Sequence, residues 1–271
     1  MSTKKQRSGG KDGYHAGMKF EEKFRKKHGG REPDRQKDLW NEKPTTPKTD
    51  SINPDGNRYS IKNPGKPWTS TQIQLCSVER FCRRFGIKGS LRTSFDMFFG
   101  SDKSLLGMKT YKNNSKNFKS VCKTAWKVDT KNLCAESEIR RCRLNADNVK
   151  GMKNIVKWFK KNIKEVTKFV LSESFNNTNN TDVIPNKMAW ATIKGDIDSI
   201  RVFDIDKILK KVASLKSSEK CYIKDSKTVI RVGILDLQMK GSGKGSIYHG
   251  MQFNCSYNQI KELLNDEGGQ I

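Results

Sequence analysis

Residues 47–62, Pro-Lys-Thr-Asp-Ser-Ile-Asn-Pro-Asp-Gly-Asn-Arg-Tyr-Ser-Ile-Lys, constrain the fold of this chain more than any other stretch. Asn53-Pro54-Asp55-Gly56-Asn57 is turn chemistry, because proline presets φ early and glycine tolerates positive φ later. The flanking segments then read as two short strands folded on each other, with Asp50 on the first and Lys62 near the end of the second. Strand alternation puts Ser60 and Lys62 on one face and turns Tyr59 and Ile61 to the other. Asp50, Ser60 and Lys62 are thereby gathered at one end of a hairpin. A carboxylate beside a lysine at a strand end suits metal-dependent phosphodiester cleavage. The acid holds a divalent ion against the phosphate, and the ammonium orients or helps deprotonate the attacking water.

Asp50 followed by Ser60-Ile61-Lys62 resembles the active-site hairpin of the PD-(D/E)xK nuclease superfamily, and type II restriction endonucleases in particular. Gly17-Met18-Lys19-Phe20-Glu21-Glu22-Lys23-Phe24 resembles the helix preceding that hairpin, in which a glutamate follows an aromatic residue. The resemblance spans residues 15–75 closely and the remainder loosely. The chain departs from the family at Ser60, where the second acid usually stands, and serine is a poorer Mg²⁺ ligand than a carboxylate. Members lacking that acid often draw one from a nearby helix.

The resemblance therefore implies an α/β fold with a mixed central sheet flanked by helices and carrying helical and β-hairpin elaborations. It implies Mg²⁺ held by Asp50, Glu21 and the backbone carbonyl of Ile61. Lys62 becomes the water-orienting base or electrostatic stabiliser, and Ser60 a hydrogen-bond partner of a metal-bound water. Glu22 and Asp55 stay open as second acids: Glu22 is about 100° round the helix from Glu21, and Asp55 sits in the turn. That both glutamates are solvated surface acids is the plain alternative. The implied substrate is double-stranded DNA, cut at a short palindrome by a homodimer. Phage and viral recombination or repair nucleases use the same site, so the biological role stays open.

Charge supports a polyanion partner independently. The chain of 271 residues carries 54 Lys and Arg against 29 Asp and Glu, a net charge of +25. Counterions released from DNA or RNA would drive binding to such a surface. A non-catalytic basic nucleic-acid-binding protein, in which Asp50 and Lys62 meet by accident, satisfies the charge equally well. Only 34% of residues are hydrophobic, so the core must be lean. No run approaches the ~18 apolar residues of a membrane span, and no membrane association is expected. Residues 1–13 lack an apolar segment and read as a disordered basic tail, with residues 14–271 as a single domain.

Seven cysteines are scattered without a CxxC pair, which suits reduced thiols in the cytoplasm. Cys134 and Cys142 with a histidine make a weak zinc candidate, because close ligand pairs are missing. Three remote histidines argue against a nucleophilic triad. Gly241-Ser242-Gly243-Lys244-Gly245 lacks the spacing of a nucleotide-binding phosphate loop.

Along the chain, residues 14–28 read as an amphipathic helix stopped by Gly29-Gly30, and residues 29–49 as a loop anchored by Leu39-Trp40. Residues 70–86 read as a helix capped by Ser70 or Thr71, with Gln72 at its start as an adenine-reading candidate or simply a solvated cap. Ser94–Gly100 reads as an apolar helix end. Apolar residues from Ile139 to Phe169 recur at helical steps, their lysines forming a wet face or the border of a DNA cleft. The C-terminal half reads as sheet with helices. Val229–Lys240 is expected as one long strand, followed by a glycine-rich basic tip and a second strand from Tyr248 to Cys255. That hairpin echoes a late hairpin of restriction-enzyme-like nucleases. The likeness makes Gln238, Lys240, Lys244, His249 and Gln252 candidate DNA contacts.

Overall fold

The computed structural model describes residues 3–34, 36–37, 39–40, 44–45, 47–64, 66–99, 149–226, 228–240 and 250–271. In chain order their strands are β1 (Gln36–Lys37), β2 (Pro44–Thr45), β3 (Ser51–Ile52), β4 (Arg58–Lys62), β5 (Thr71–Ser77), β6 (Lys187–Ala191), β7 (Ile200–Asp204), β8 (Cys221–Ile223), β9 (Val229–Val232), β10 (Leu235–Lys240) and β11 (Gly250–Cys255). The helices are α1 (Thr3–His28), α2 (Val78–Arg84), α3 (Gly89–Phe99), α4 (Met152–Lys168), α5 (Ile205–Ala213), α6 (Ser217–Lys220) and α7 (Tyr257–Leu264). The fold class is mixed α/β. Where the sequence reads as one domain, the chain divides into two compact units. One comprises Met1–Thr71, Lys164–Ser214 and Cys255–Ile271; the other comprises Gln72–Ile163 and Leu215–Asn254.

The first unit is built on the sheet β3-β4-β6-β7. Its β3–β4 and β6–β7 pairs are antiparallel, while β4 and β6 run parallel. A parallel pair cannot be closed by a tight turn and needs a long crossover, which the chain between Lys62 and Lys187 supplies. One sheet face presents Tyr59, Ile61, Ala189, Ala191 and Ile200, and α1 buries Phe20 and Phe24 against it. The Phe24 and Tyr59 rings lie 5.3 Å apart. Phe20 and Phe24 are four residues apart on one helical stripe, so this packing fixes the rotation of α1 about its axis. The helix also runs back through the segment expected as a disordered tail. Extending an established helix costs far less than nucleating one, although Gly9, Gly10 and Gly13 lower the helix propensity of that segment.

The exit of α1 is locked to the hairpin. Gly29 adopts φ +67° and Gly30 N–H donates to Arg25 O at 2.9 Å, a glycine-terminated helix end. Arg31 and Ile52 then exchange two backbone hydrogen bonds, 2.9 and 2.8 Å, so the chain leaving the helix lies beside β3. Leu39 N–H donates to Phe175 O at 2.7 Å, and the Trp40 and Phe175 rings lie 5.5 Å apart, so Leu39-Trp40 does anchor the following loop.

The second unit carries the sheet β5-β11-β10-β9-β8. Its core is aromatic: Phe81, Phe95, Phe159 and Phe253 are fully buried, and the Phe81 ring lies 5.9 Å from that of Phe95 and 5.8 Å from that of Phe253. The expected helix over 70–86 is a strand and then a helix. Thr71-Gln-Ile-Gln-Leu-Cys-Ser has β-type alternation, and the cap is Ser77, whose Oγ accepts from Arg80 N–H at 3.1 Å. The expected strand over 229–240 is likewise two. Gly233 takes φ +58° and reverses the chain with Ile234, so Val232 pairs with Leu235. The stripe Met152, Ile155, Phe159, Ile163, Val166 and Phe169 is buried along α4 and its continuation, as its spacing predicts. Ile139, Leu144, Gly100 and the zinc candidates Cys134 and Cys142 lie outside the described residues. Cys76, Cys82, Cys221 and Cys255 are buried, and no disulfide occurs among the described residues. Among those residues, no helix is long and apolar enough to cross a membrane.

The docking of α1 has a direct test. A Cβ on Gly30 would run into the Ser51 side chain and approach Asn53 Oδ1 to 2.7 Å, whereas one on Gly17 meets nothing within 4 Å. Gly30→Ala should therefore destabilise by about 1–3 kcal/mol. Gly17→Ala should be neutral or stabilise by up to about 1 kcal/mol. Thermal melts of the two variants check this.

Candidate active site

Asp50 immediately precedes β3, and its backbone N–H still donates to Tyr59 O at 2.7 Å. There the ladder stops. One step further along β4 the Ile61 N–H would lack a strand partner, and the Asp50 carboxylate takes it instead, with Oδ2 accepting at 2.6 Å. The carboxylate thus caps a strand edge and is aimed at the C-terminal end of β4. Lys62 arrives at the same place. Its Nζ donates to Ser60 Oγ at 2.9 Å and to Ile61 O at 3.0 Å, and lies 3.6 Å from Asp50 Oδ2. The Lys62 and Asp50 side chains are only 16% and 19% exposed, so their attraction is poorly screened. Ser60 is buried on the same face as Lys62, as strand alternation predicts.

Helix α1 supplies the remaining groups. With Phe20 and Phe24 turned to the sheet, Glu21 and Arg25 fall on the flank beside them, while Glu22 points nearly opposite. Glu22 is accordingly exposed and pairs with Lys26 at 2.8 Å. Glu21 is half-buried, and its carboxyl is pushed up to about 7, first by burial and next by the Asp50 charge; Lys62 and Arg25 oppose the shift. Arg25 was not anticipated from sequence. Its Nη1 donates to Asp50 O at 2.8 Å and its Nη2 pairs with Glu32 at 2.7 Å. The legible signal was spacing: Arg25 lies four residues after Glu21 and shares its face. Asp55 serves the turn. Its Oδ1 accepts from Asn57 N–H at 2.9 Å and its Oδ2 from Asn57 Nδ2 at 2.6 Å, and these bonds hold its carboxyl below the usual range.

The structure thus brings Asp50, Ser60, Ile61, Lys62 and Glu21 together. Of the candidate DNA contacts, Gln72, Gln238, Lys240 and Gln252 fall in the other unit. Gln238 and Gln252 face each other across β10 and β11, and Gln252 Nε2 donates to Asn254 Oδ1 at 2.8 Å. Gln72 stands exposed on strand β5, not at a helix start. Lys240 ends β10, but its side chain lies outside the described residues, as do Lys244 and His249.

Whether a divalent ion suits the site is decided by its donors. Among the described residues, no three His, Cys, Asp or Glu side chains are grouped to hold a metal. Two carboxylates close enough to perturb each other are nonetheless present; the Ile61 N–H donates to one of them, and the Ile61 carbonyl accepts from Lys62 beside it. Mg²⁺ commonly takes one or two carboxylates and completes its sphere with water and phosphate oxygens, so the donor set fits.

No family model matches this chain, and no curated protein does. Among solved structures the chain is similar to restriction endonuclease MspI in complex with its cognate DNA. The identity is 13% and the TM-score 0.39, over 83% of this chain and 69% of that one.

The raised Glu21 carboxyl predicts how stability varies with pH. An unfolded glutamate titrates near 4.5 and the folded one near 7, so the folded state prefers the protonated form. That preference contributes fully below pH 4.5 and is lost as pH rises through 7. Without divalent ions, the melting temperature of the wild type should fall relative to Glu21→Gln between pH 5 and 8. Parallel curves for the two proteins would contradict it.

Proposed function

We propose that this protein is a Mg²⁺-dependent DNA endonuclease that hydrolyses phosphodiester bonds on a restriction-endonuclease-like core. The observation that carries the reading is the convergence of Asp50, Lys62 and Glu21 at the end of β4, around the Ile61 backbone. Bound Mg²⁺ would supply Lewis-acid polarisation of the scissile phosphate and a more acidic water. Asp50 and Glu21 would hold it, with the Ile61 carbonyl as a third oxygen. Lys62 donates from a position fixed by Ser60 Oγ and Ile61 O, and so can orient the attacking water and neutralise charge building on the phosphate. Arg25 acts through Asp50: holding the Asp50 carbonyl, it fixes where that carboxylate points. Duplex DNA as the substrate draws on the net charge of +25, and sequence-specific recognition on the opposed Gln238 and Gln252. Such amides can read adenine edges in the major groove.

Unmethylated phage DNA incubated with the protein and Mg²⁺ should give discrete fragments. Lys62→Ala or Asp50→Ala should lower cleavage by roughly two to four orders of magnitude, while binding measured in Ca²⁺ survives. Retained cleavage in either variant would sink the assignment, and binding without cleavage in the wild type would leave a basic DNA-binding protein.

The second acid is tested separately. Glu21→Gln keeps the side-chain shape and removes the charge, so Mg²⁺-supported cleavage should drop severely. Glu22→Gln should be mild, because that side chain only pairs with Lys26. Affinity for DNA should also fall with salt, on a log–log slope of about −0.9 per phosphate neutralised; a flat response would remove the polyanion argument.

A further inference from the structure

A pocket of about 410 Å³ in the first unit is lined by Pro67, Trp68, Arg201, Tyr257, Lys261 and Glu267, among others. Strand register relates it to Lys62. Lys62 pairs with Trp190 and Trp190 with Arg201, so these three side chains stand in a row on one sheet face across β4, β6 and β7. Two strand spacings put the Arg201 backbone roughly 10 Å from that of Lys62. Trp68 is 66% exposed, the most exposed of the large apolar side chains among the described residues. Lys66 Nζ lies 5.3 Å from the indole centroid. Across the pocket, Glu267 ties up two donors: Tyr257 Oη donates to its carboxylate at 2.9 Å, and Lys261 pairs with the same side chain. Burial and the Glu267 contact push the Tyr257 phenol up to about 12, so it stays a donor at neutral pH.

We propose that this pocket is a subsite for an unpaired nucleotide, whose base stacks on Trp68 and whose phosphate is held by Arg201 and Lys261. Glu267 stands in for that phosphate in the free protein. An open indole in a concave, cationic setting fits a splayed-out base better than a paired one, because duplex stacking covers both faces of a paired base. The ligand is a nucleotide of a strand whose scissile phosphate lies at Lys62, and this placement rests on the nuclease reading. The binding itself rests only on the pocket.

The full chain is titrated with a short oligothymidylate, a blunt duplex and thymidine monophosphate in metal-free buffer, following tryptophan emission. The oligothymidylate should quench emission. Trp68→Ala should remove the quench and weaken that binding by about tenfold or more, the range for one base–aromatic stack. Trp68→Phe should retain most of the affinity, duplex binding should be unchanged, and Glu267→Gln should tighten the single strand. Oligothymidylate affinity unchanged in Trp68→Ala would overturn the proposal. So would equal affinity for the oligomer and the free monophosphate, which removes the strand. Self-association that depends on Trp68, without oligonucleotide quenching, would assign the ring to a second copy of this chain and also overturn it. Lys62→Ala should leave the quench intact. Cleavage without a Trp68-dependent quench therefore defeats this inference alone, and a quench without cleavage defeats only the nuclease reading.

Discussion

The hydrogen bond from Ile61 N–H to the Asp50 carboxylate holds the rest of the candidate site in place. A strand that ends beside a longer neighbour leaves a backbone donor without a partner, and burying it so is costly. Here the side chain of the residue just before β3 does the work that the next backbone carbonyl would have done. The acid is therefore fixed in direction by the same bond that satisfies the sheet. Lys62 follows from that bond, because strand alternation and the carbonyl of Ile61 deliver its ammonium to the same edge. The pairing of Asp50 with Lys62 is thus a by-product of how two strands of unequal length finish.

Helix α1 is the second constraint, and it acts through packing. Phe20 and Phe24 set its rotation, and Gly29 and Gly30 set where it stops against the hairpin. Only after both are fixed does Glu21, rather than Glu22, face Asp50. Arg25 then ties the helix to the backbone of Asp50 itself. Rotation by one residue would exchange a half-buried acid beside the site for one pairing with Lys26 in water. The selection between the two glutamates is thus made by two phenylalanines.

Much of this was legible in the sequence, because the signals were local. Turn residues at 53–57, alternation over 58–62 and the Phe20–Phe24 stripe each name their own structure without help from distant residues. The readings that failed involve competition between periods or a single interrupting residue. Residues 71–77 alternate like a strand but run into a true helix, and the eye joined them. Gly233 sits inside a run rich in Val, Ile and Leu, where only its positive φ reveals the reversal. Arg25 escaped because its hold on Asp50 is through a backbone carbonyl, so that only its four-residue spacing from Glu21 could have pointed to it. The division into two units escaped because the first is assembled from three separated segments of chain.

Ser60 is where the site departs most from the pattern it resembles, and its surroundings make that departure intelligible. The side chain is buried and accepts a hydrogen bond from Lys62. A carboxylate there would add a third negative group to a region where burial and Asp50 already push Glu21 up to about 7. Desolvation penalises each added charge, and Lys62 and Arg25 already stand against Asp50 and Glu21. With serine, Lys62 keeps a neutral anchor and its charge is left for Asp50. Glu21, on α1, remains partly in contact with water, and its carboxyl, pushed up to about 7, can take or release a proton near neutrality. The charge on Glu21 is therefore unsettled near neutral pH. pH therefore acts on this site through Glu21, while the Asp50 carboxylate is fixed in direction by its bond to the strand edge.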